Sequence, residues 1–432
     1  MNENISNWLN KKKLNTHVEI EQIKFSELDK WVFNKTTGNL EHFSKKFFSV
    51  IGLDIKTNWG KVHNWQQPII EQSEIGILGI ITKKFNQKAH YLMQAKIEPG
   101  NINYVQISPT LQATKSNYLQ VHKGKKPKYL DYFFNDSKEL IIDQLQSEQG
   151  ARFYKKRNRN IIIEIKDDIK IGDDFKWMTL DQIIELMNIN NCVNMDTRTV
   201  ISSLLLFGSI SKKNNSRPSN SFNQIVQWMT NLKTKYELNV KKVNLNEIGQ
   251  WIKTNEKIYH KKHKYFEIIP VKVTIEGREL KSWTQPMIKS KQEGICAFIL
   301  KRINGIIHVL VQGKIECGNF DIIEMAPTVQ CLTDNYLGEA SHRLPYLKYV
   351  LEAKNSEILY DVFQSEEGGR FYKEQNRNLL ILADDNFDNN SPENYIWMTL
   401  SQIQNFLMFN NFFNIQARSL ISALVTKENE FN

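Results

Sequence analysis

QSEQGARFYKKRNRN, Gln146 to Asn160, returns further along the chain as QSEEGGRFYKEQNRN, Gln364 to Asn378. At that offset of 218 residues, Trp65–Asn160 lies on Trp283–Asn378 without a gap, and about 37 of the 96 positions are identical. Chance gives only a handful, so one folding unit is written twice. Working outward, WQQP (Trp65–Pro68) pairs with WTQP (Trp283–Pro286), QAKIEPGN (Gln94–Asn101) with QGKIECGN (Gln312–Asn319), and SPTLQ (Ser108–Gln112) with APTVQ (Ala326–Gln330). Two extra residues in the second copy move the offset to 220, which pairs WMTLDQI (Trp177–Ile183) with WMTLSQI (Trp397–Ile403) and Trp31 with Trp251. The expected organisation is a first repeat over residues 1–208, a linker over 209–221 and a second repeat over 222–432. The linker reading rests on SISKKNNSRPSNS (Ser209–Ser221), rich in Ser, Asn and Lys with a single Pro.

Each copy mixes strand and helix signals. Ile75–Thr82 and His90–Ile97 are apolar segments separated by a polar turn, which becomes Asn304-Gly305 in the second copy, so a β-hairpin is expected. A third strand should end at Pro109 and Pro327, because proline cannot donate to the ladder. The spacing in Ser137–Gln146 and Ser356–Gln364 predicts helices that stop before Gly150 and Gly368. Further strands follow at Asn160–Ile165 and Asn378–Leu382. Thr179 with Gln182, and Thr399 with Gln402, form capping boxes ahead of apolar stripes. The fold class read from these signals is α+β.

Composition narrows the function. The 432 residues are 41% hydrophobic and 24% charged, with 57 Lys+Arg against 47 Asp+Glu and a net charge of +10, the profile of a soluble globular protein. Cys192, Cys296, Cys317 and Cys331 form no CxxC pair and read as reduced thiols, which points to a cytoplasmic protein. No apolar run approaches the ~20 residues that span a bilayer, and the first residues lack a signal-peptide core, so no membrane partner is expected. Basic clusters at Val121–Tyr129, Tyr154–Arg159 and His260–Lys264 come without a helix-turn-helix, RRM or zinc-finger pattern. Nucleic acid is therefore not an expected partner.

Polar residues that recur in both copies are the candidates for chemistry: Lys96 and Lys314, Glu98 and Glu316, Asn117 and Asn335, Tyr118 and Tyr336, Glu148 and Glu366, Arg152 and Arg370, Arg159 and Arg377. A carboxylate against an apolar wall can serve as a general base, and an arginine beside a glycine turn can clamp a phosphate. A structural Arg–Glu pair, repeated because the domain is repeated, explains the same recurrence equally well. Trp31, Trp65, Trp251 and Trp283 read as core, with stacking on a base or sugar as the alternative. There is no GxSxG, Walker, HExxH or GxGxxG motif, and His90 and His308 lie in apolar surroundings, so no metal site is expected.

SPTLQATKSNYLQVHKG (Ser108–Gly124), QAKIEPGN and the two QSE-x-G-x-RF blocks closely resemble the NDP-hexose 2,3-dehydratases of deoxysugar biosynthesis, over nearly the whole chain. The resemblance implies a homodimer whose subunits each hold two tandem Nudix-like domains, one with a working pocket and one vestigial. The Nudix catalytic box is absent, so pyrophosphate hydrolysis and its metal should be lost, and no cofactor is implied. The implied reaction, a lyase step, converts dTDP-4-keto-6-deoxyglucose into dTDP-3,4-diketo-2,6-dideoxyglucose. Carried onto this sequence, the nucleotide-sugar motif is Thr114, Lys115, Ser116, Asn117 and Tyr118, followed by His122 and Lys123. Arg152 and Lys115 would neutralise the diphosphate, and Tyr118 or a tryptophan would stack on thymine. The second copy offers Asn335, Tyr336, Arg343 and Arg370. Glu98, Glu148, Glu316 and Glu366 are the candidate base and acid, with Tyr118 and Tyr336 behind them. Two alternatives stay open: a non-catalytic sugar-nucleotide-binding protein and a Nudix-type sugar-nucleotide hydrolase.

Overall fold

The structure is a computed structural model that describes residues 3–118, 125–135, 139–204, 217–276, 281–333 and 344–424. In the first half, Gly76–Phe85 and Lys88–Ile97 form the expected antiparallel hairpin. Asn86 and Gln87 have φ of 48° and 63°, and Asn304 and Gly305 of the second hairpin have 52° and 80°. Two positive φ values in a two-residue turn match the twist of the flanking strands. The hairpin lies in a seven-stranded sheet whose order is Glu139–Ser147, Arg157–Glu164, Gly76–Phe85, Lys88–Ile97, Phe175–Met178, with Val105–Ser108 and Leu111–Ala113 joined to the hairpin strands. The second half repeats this order from Ile358–Ser365 to Tyr395–Thr399.

Helices cover both faces of this sheet. Along GILGIITKKF, Leu78 and Ile80 pack with Ile5, Leu9, Ile183 and Val200 of three helices, while Ile77 and Ile81 pack against Leu130 and Phe133 on the other side. A strand buried on both faces reads as a nearly continuous apolar run, and this one does. The capping boxes at Thr179 and Thr399 form as expected, with each threonine accepting from the glutamine N–H three residues on.

Two expected helices are strands. Glu139–Ser147 and Ile358–Ser365 pair antiparallel with Arg157–Glu164 and Gln375–Leu382, each with a β-bulge near its start. The bulge leaves Leu140 and Ile141 exposed beside buried Ile142, which breaks the two-residue period. The inward face then continues through Gln144 and Gln146, buried glutamines that disguise it as polar. The true alternation was hidden by a bulge and by hydrogen-bonded glutamines.

The halves exchange strands. Val18–Gln22 of the first half pairs with Phe266–Ile275 of the second, from Val18 opposite Ile275 to Gln22 opposite Val271. Reciprocally, Leu238–Val243 of the second half pairs with Ser49–Thr57 of the first. One hydrophobic cluster unites them, with Trp31, Phe48, Ile70 and Phe153 packed among Trp251, Phe266, Ile288 and Phe371.

Two fully buried arginines lock the exchange. Arg198 donates to Ser365 O at 2.8 Å and Gln364 Oε1 at 3.2 Å, both in the other half, and Arg418 donates back to Ser147 O. By contrast, Arg159 with Asp143 and Arg377 with Asp361 are partly exposed pairs between neighbouring strands of one half, which explains their recurrence structurally. Among the described residues, no helix is long and apolar enough to cross a membrane. All four cysteines are free.

Replacing Arg198 by leucine is expected to lower stability by at least about 3 kcal/mol, because each lost charge-assisted bond contributes about 1.5–3 kcal/mol. Asp143→Asn should cost less than about 1 kcal/mol, the usual worth of an exposed ion pair. Urea unfolding of both variants checks the ranking, which equal midpoints would contradict.

Candidate active site

Glu98 directly follows the hairpin strand Lys88–Ile97 and gathers a polar cluster that the sheet alone would not hold. Its Oε1 accepts from Gln112 Nε2 at 2.6 Å and lies 3.5 Å from Lys96 Nζ, while Oε2 accepts from Asn101 Nδ2 at 3.3 Å. Ser108 Oγ and Asn194 Nδ2 both donate to Gln112 Oε1, which turns the Gln112 amide N–H toward Glu98. Asn194 also caps the helix Met195–Ile201, accepting from Thr197 N. On the first turn of that helix Asp196 is only 3% exposed, and its Oδ1 has no hydrogen-bond partner among the described residues. The Lys96 side chain, 21% exposed, opens the cluster to solvent.

The second half completes this cluster through a glycine crossing. Gly100 N donates to Gly368 O at 2.7 Å and Lys373 N donates to Gly100 O at 2.7 Å. A Cβ on Gly100 would lie 1.7 Å from Phe371 O, so no other residue fits there. The crossing is reciprocated where Gly318 N donates to Gly150 O. It carries Glu367 and Arg370 into the first half. The Arg370 guanidinium sits 4.3 Å over the Phe48 ring and donates to Gln72 Oε1 at 3.3 Å, while its buried Nε has no partner among the described residues. Gln72 donates to Glu74, Glu74 Oε2 accepts from Ser116 N at 3.1 Å, and Lys156 Nζ donates to Glu74 O. Arg370 and Lys156 are thus tied to the turn Thr114–Tyr118 through side-chain bonds.

Burial dominates the electrostatics. Burial first, then the charges of Glu98, Glu148 and Glu367, push the Asp196 carboxyl well above its ordinary range, against a weaker pull from Lys96. Glu367 is likewise raised by burial, opposed by Arg370. Lys156 is lowered by burial, with Glu148 opposing.

Several candidates from the sequence converge here: Glu98, Thr114, Lys115, Ser116, Asn117, Tyr118 and, from the other half, Arg370. Arg152 takes the opposite path, with its guanidinium 4.2 Å over Phe266 of the second half, so the arginine beside the first-half cluster is Arg370. Glu148 and Glu366 lie deep between the halves. Asn158 donates to Glu148, Asn376 to Glu366, and Gln149 to Glu366 Oε2 at 3.0 Å. Glu316 repeats part of the Glu98 arrangement, accepting from Gln330 Nε2 at 3.0 Å, while its Oε2 has no partner among the described residues. Trp31 and Trp251 are core residues whose indoles donate to Thr284 O and Gln66 O. Trp65 and Trp283 brace the crossing loops: Trp283 donates to Gln285, which donates to Gly369 O, and Trp65 reaches Ala151 O through Gln67. Tyr118 packs near Phe134, with ring centroids 5.9 Å apart. His122, Lys123, Asn335, Tyr336 and Arg343 lie outside the described residues. Gln72, Glu74, Lys156, Asp196 and Glu367 are members that the sequence reading missed.

The sequence pattern described as NDP-hexose 2,3-dehydratase matches this chain twice, over residues 2–204 and 222–424. The chain belongs to the NDP-hexose 2,3-dehydratase family. It is 41% identical over 436 aligned residues to the dTDP-4-dehydro-6-deoxy-alpha-D-glucopyranose 2,3-dehydratase of Saccharopolyspora spinosa, covering 96% of this chain and 90% of that protein. Proteins of the same name from Amycolatopsis orientalis and Streptomyces violaceoruber are 40% and 39% identical, with 98% and 94% of this chain covered.

Within this 2,3-dehydratase-family chain the two clusters are not equivalent. Where the first half has Gln106, Ser108, Gln149, Lys156 and Asp196, the second has Glu324, Ala326, Glu367, Glu374 and Gln416. The Gln106 and Glu324 positions make the same cross-half contact: Gln106 Nε2 donates to Ser365 Oγ at 2.7 Å, and Ser147 Oγ donates to Glu324 Oε2 at 2.7 Å. Burial pushes Glu324 up to about 8.

A carboxyl raised on folding contributes stability that is full below its unfolded value and is lost as pH climbs toward the folded value. Glu324→Gln, which copies the first half, should therefore flatten the fall in stability between about pH 4.5 and 8 and stabilise the protein at alkaline pH by a few kcal/mol. Urea midpoints at both ends of that window check it; a variant with the unchanged slope would remove Glu324 as its source.

Proposed function

We propose that this chain is a lyase that removes the C2 hydroxyl of dTDP-4-keto-6-deoxyglucose to give dTDP-3,4-diketo-2,6-dideoxyglucose in deoxysugar biosynthesis. The similarity to curated 2,3-dehydratases along nearly the full chain carries this reading. The C4 ketone acidifies the C3 hydrogen. In this reading Glu98 removes that proton, the Lys96 ammonium steadies the enolate, and collapse of the enolate expels the C2 oxygen as water before the enol tautomerises. Loss of water is redox-neutral and calls for no redox cofactor.

The working pocket of this reading is the first-half cluster. Thr114–Tyr118 holds the dTDP moiety, with Lys115, Lys156 and Arg370 facing the diphosphate. The second half carries Glu374 where Lys156 stands in the first, a poor environment for a diphosphate, which supports the choice. Glu148 and Glu366 then position the crossing loops rather than react. Each half is read as a Nudix-like domain, supported by the repeated sheet with helices on both faces, and the chain as a cytoplasmic homodimer on the family resemblance.

Incubation with dTDP-4-keto-6-deoxyglucose and a 3-ketoreductase that traps the diketone is expected to yield the reduced 2-deoxy sugar nucleotide. Unchanged substrate beside a working trap removes the dehydratase reading; release of thymidine monophosphate points to hydrolysis, and dTDP binding without turnover points to a binding protein. Arg370→Gln should weaken dTDP binding measured by calorimetry about tenfold or more, the loss of one charge-assisted bond, and Arg152→Gln far less. The opposite ranking would move the pocket to the second half.

A further inference from the structure

The duplication supplies an internal comparison: a residue that the scaffold alone required would be kept in both copies. Lys96, Glu98, Gln112 and Asn194 recur as Lys314, Glu316, Gln330 and Asn414 with two of the hydrogen bonds kept, since Gln330 donates to Glu316 and Asn414 Nδ2 donates to Gln330 Oε1 at 2.8 Å. Two acids of the first-half cluster have no acidic counterpart, Glu367 matched by Gln149 and Asp196 matched by Gln416; Glu367 Oε1 accepts from Gly369 N at 3.0 Å, which leaves Asp196 as the one of the two with an unpartnered carboxyl oxygen among the described residues. The scaffold therefore does not need an acid at this place on the helix. The Asp196 carboxyl is nonetheless almost fully buried, two residues from the Asn194 cap that orients Gln112 toward Glu98, and its Oδ1 is unpartnered among the described residues. An unused buried carboxyl oxygen is costly to keep.

We propose that Asp196 is the proton donor to the departing C2 hydroxyl, working opposite Glu98 as the C3 base. The assignment rests on the dehydratase reading above and names the acid which that reading lacks. The surroundings suit the role. Glu98, Glu148 and Glu367 face Asp196 with like charge and Lys96 with opposite charge, and burial adds to the like charges in favouring the neutral acid. A carboxyl held neutral beside a second carboxyl can serve as the acid while its neighbour serves as the base.

The protons balance. Glu98 takes the C3 proton as the C3–H bond breaks and the enolate forms. Asp196 gives its proton to the C2 oxygen as the C2–O bond breaks, and water leaves. In the tautomerisation that follows, the enol hydroxyl returns a proton to the Asp196 carboxylate while Glu98 delivers its proton to C2. Both groups end as they began, with no oxidant or reductant consumed.

The test separates the two half-steps. In deuterium oxide, Asp196→Asn should still exchange the C3 hydrogen of recovered substrate at close to the wild-type rate, because exchange needs only Glu98. Its trapped product should fall roughly 10²- to 10⁴-fold, the usual worth of a placed acid. Glu98→Gln should lose exchange and elimination together. A 2-fluoro analogue, whose leaving group needs no proton, should be processed by Asp196→Asn nearly as by wild type. Gln416→Asn, the second-half control, should leave both steps unchanged. Asp196→Gln, carrying the residue that the second half uses, serves if the asparagine variant does not fold. Turnover of the Asp196 variant within about threefold of wild type would overturn the assignment, since a placed acid contributes far more. So would equal loss of exchange and elimination with dTDP binding intact. Wild-type protein that neither exchanges nor eliminates overturns the dehydratase reading itself.

Discussion

Two backbone crossings, Gly100 against Gly368 and Gly318 against Gly150, set the geometry on which the rest depends. At each, one half's turn after the hairpin and the other half's Gly-Arg loop meet through amide-to-carbonyl bonds, with no room for a Cβ. Chains this close at both crossings cannot shift independently. The exchanged strands Val18–Gln22 and Leu238–Val243, and the buried donors Arg198 and Arg418, follow from the same approach: each reaches a partner that lies only in the opposite half. A buried guanidinium is costly unless most of its donors are satisfied, and here each arginine donates to a carbonyl of its own half and to a carbonyl of the other copy.

This arrangement explains how a duplicated fold can hold two unlike sites. The crossings require glycine in both copies, and the Glu98 and Glu316 clusters keep the same four anchoring side chains. Around those anchors the positions 149, 156 and 196 carry Gln, Lys and Asp in one copy and Glu, Glu and Gln in the other, at 367, 374 and 416. Because the Gly-Arg loops cross, Glu367 is delivered to the first-half cluster rather than to its own. The first-half cluster thus collects Asp196, Glu367 and Lys156 together, and the second-half cluster collects none of the three.

Much of this was legible in the sequence, and what was not has physical causes. Self-comparison located both copies, the hairpin with its two-residue turn, the capping boxes and the recurring Glu98 and Arg370. Strand Glu139–Ser147 escaped because its inward face is glutamine, and Gln146 faces the other half, donating to Phe409 O at 3.3 Å. The crossing escaped because aligning a chain on itself pairs each residue with its equivalent, never with its neighbour in space. Arg152 and Arg370 align perfectly and yet serve opposite halves. Arg198 and Arg418 were within reach, since the 220 offset aligns them, and so was the change from Asp196 to Gln416. Recurrence drew the eye to what the copies share, whereas the difference between them marked the unshared acid.

The acidic cluster itself separates structural from chemical demands. Glu148 and Glu366 are buried, but side-chain amides of Asn158, Asn376 and Gln149 bond them, so their cost is offset locally and their recurrence needs no reaction. Asp196 has no such offset at Oδ1, lies amid three other carboxyls and is absent from the second copy, where an amide fills the place. The equivalent glutamine also leaves its Oε1 unpartnered among the described residues, so what distinguishes the first copy is the acid itself, which the scaffold does not call for, and perturbed carboxyls of this kind concentrate where a protein moves protons.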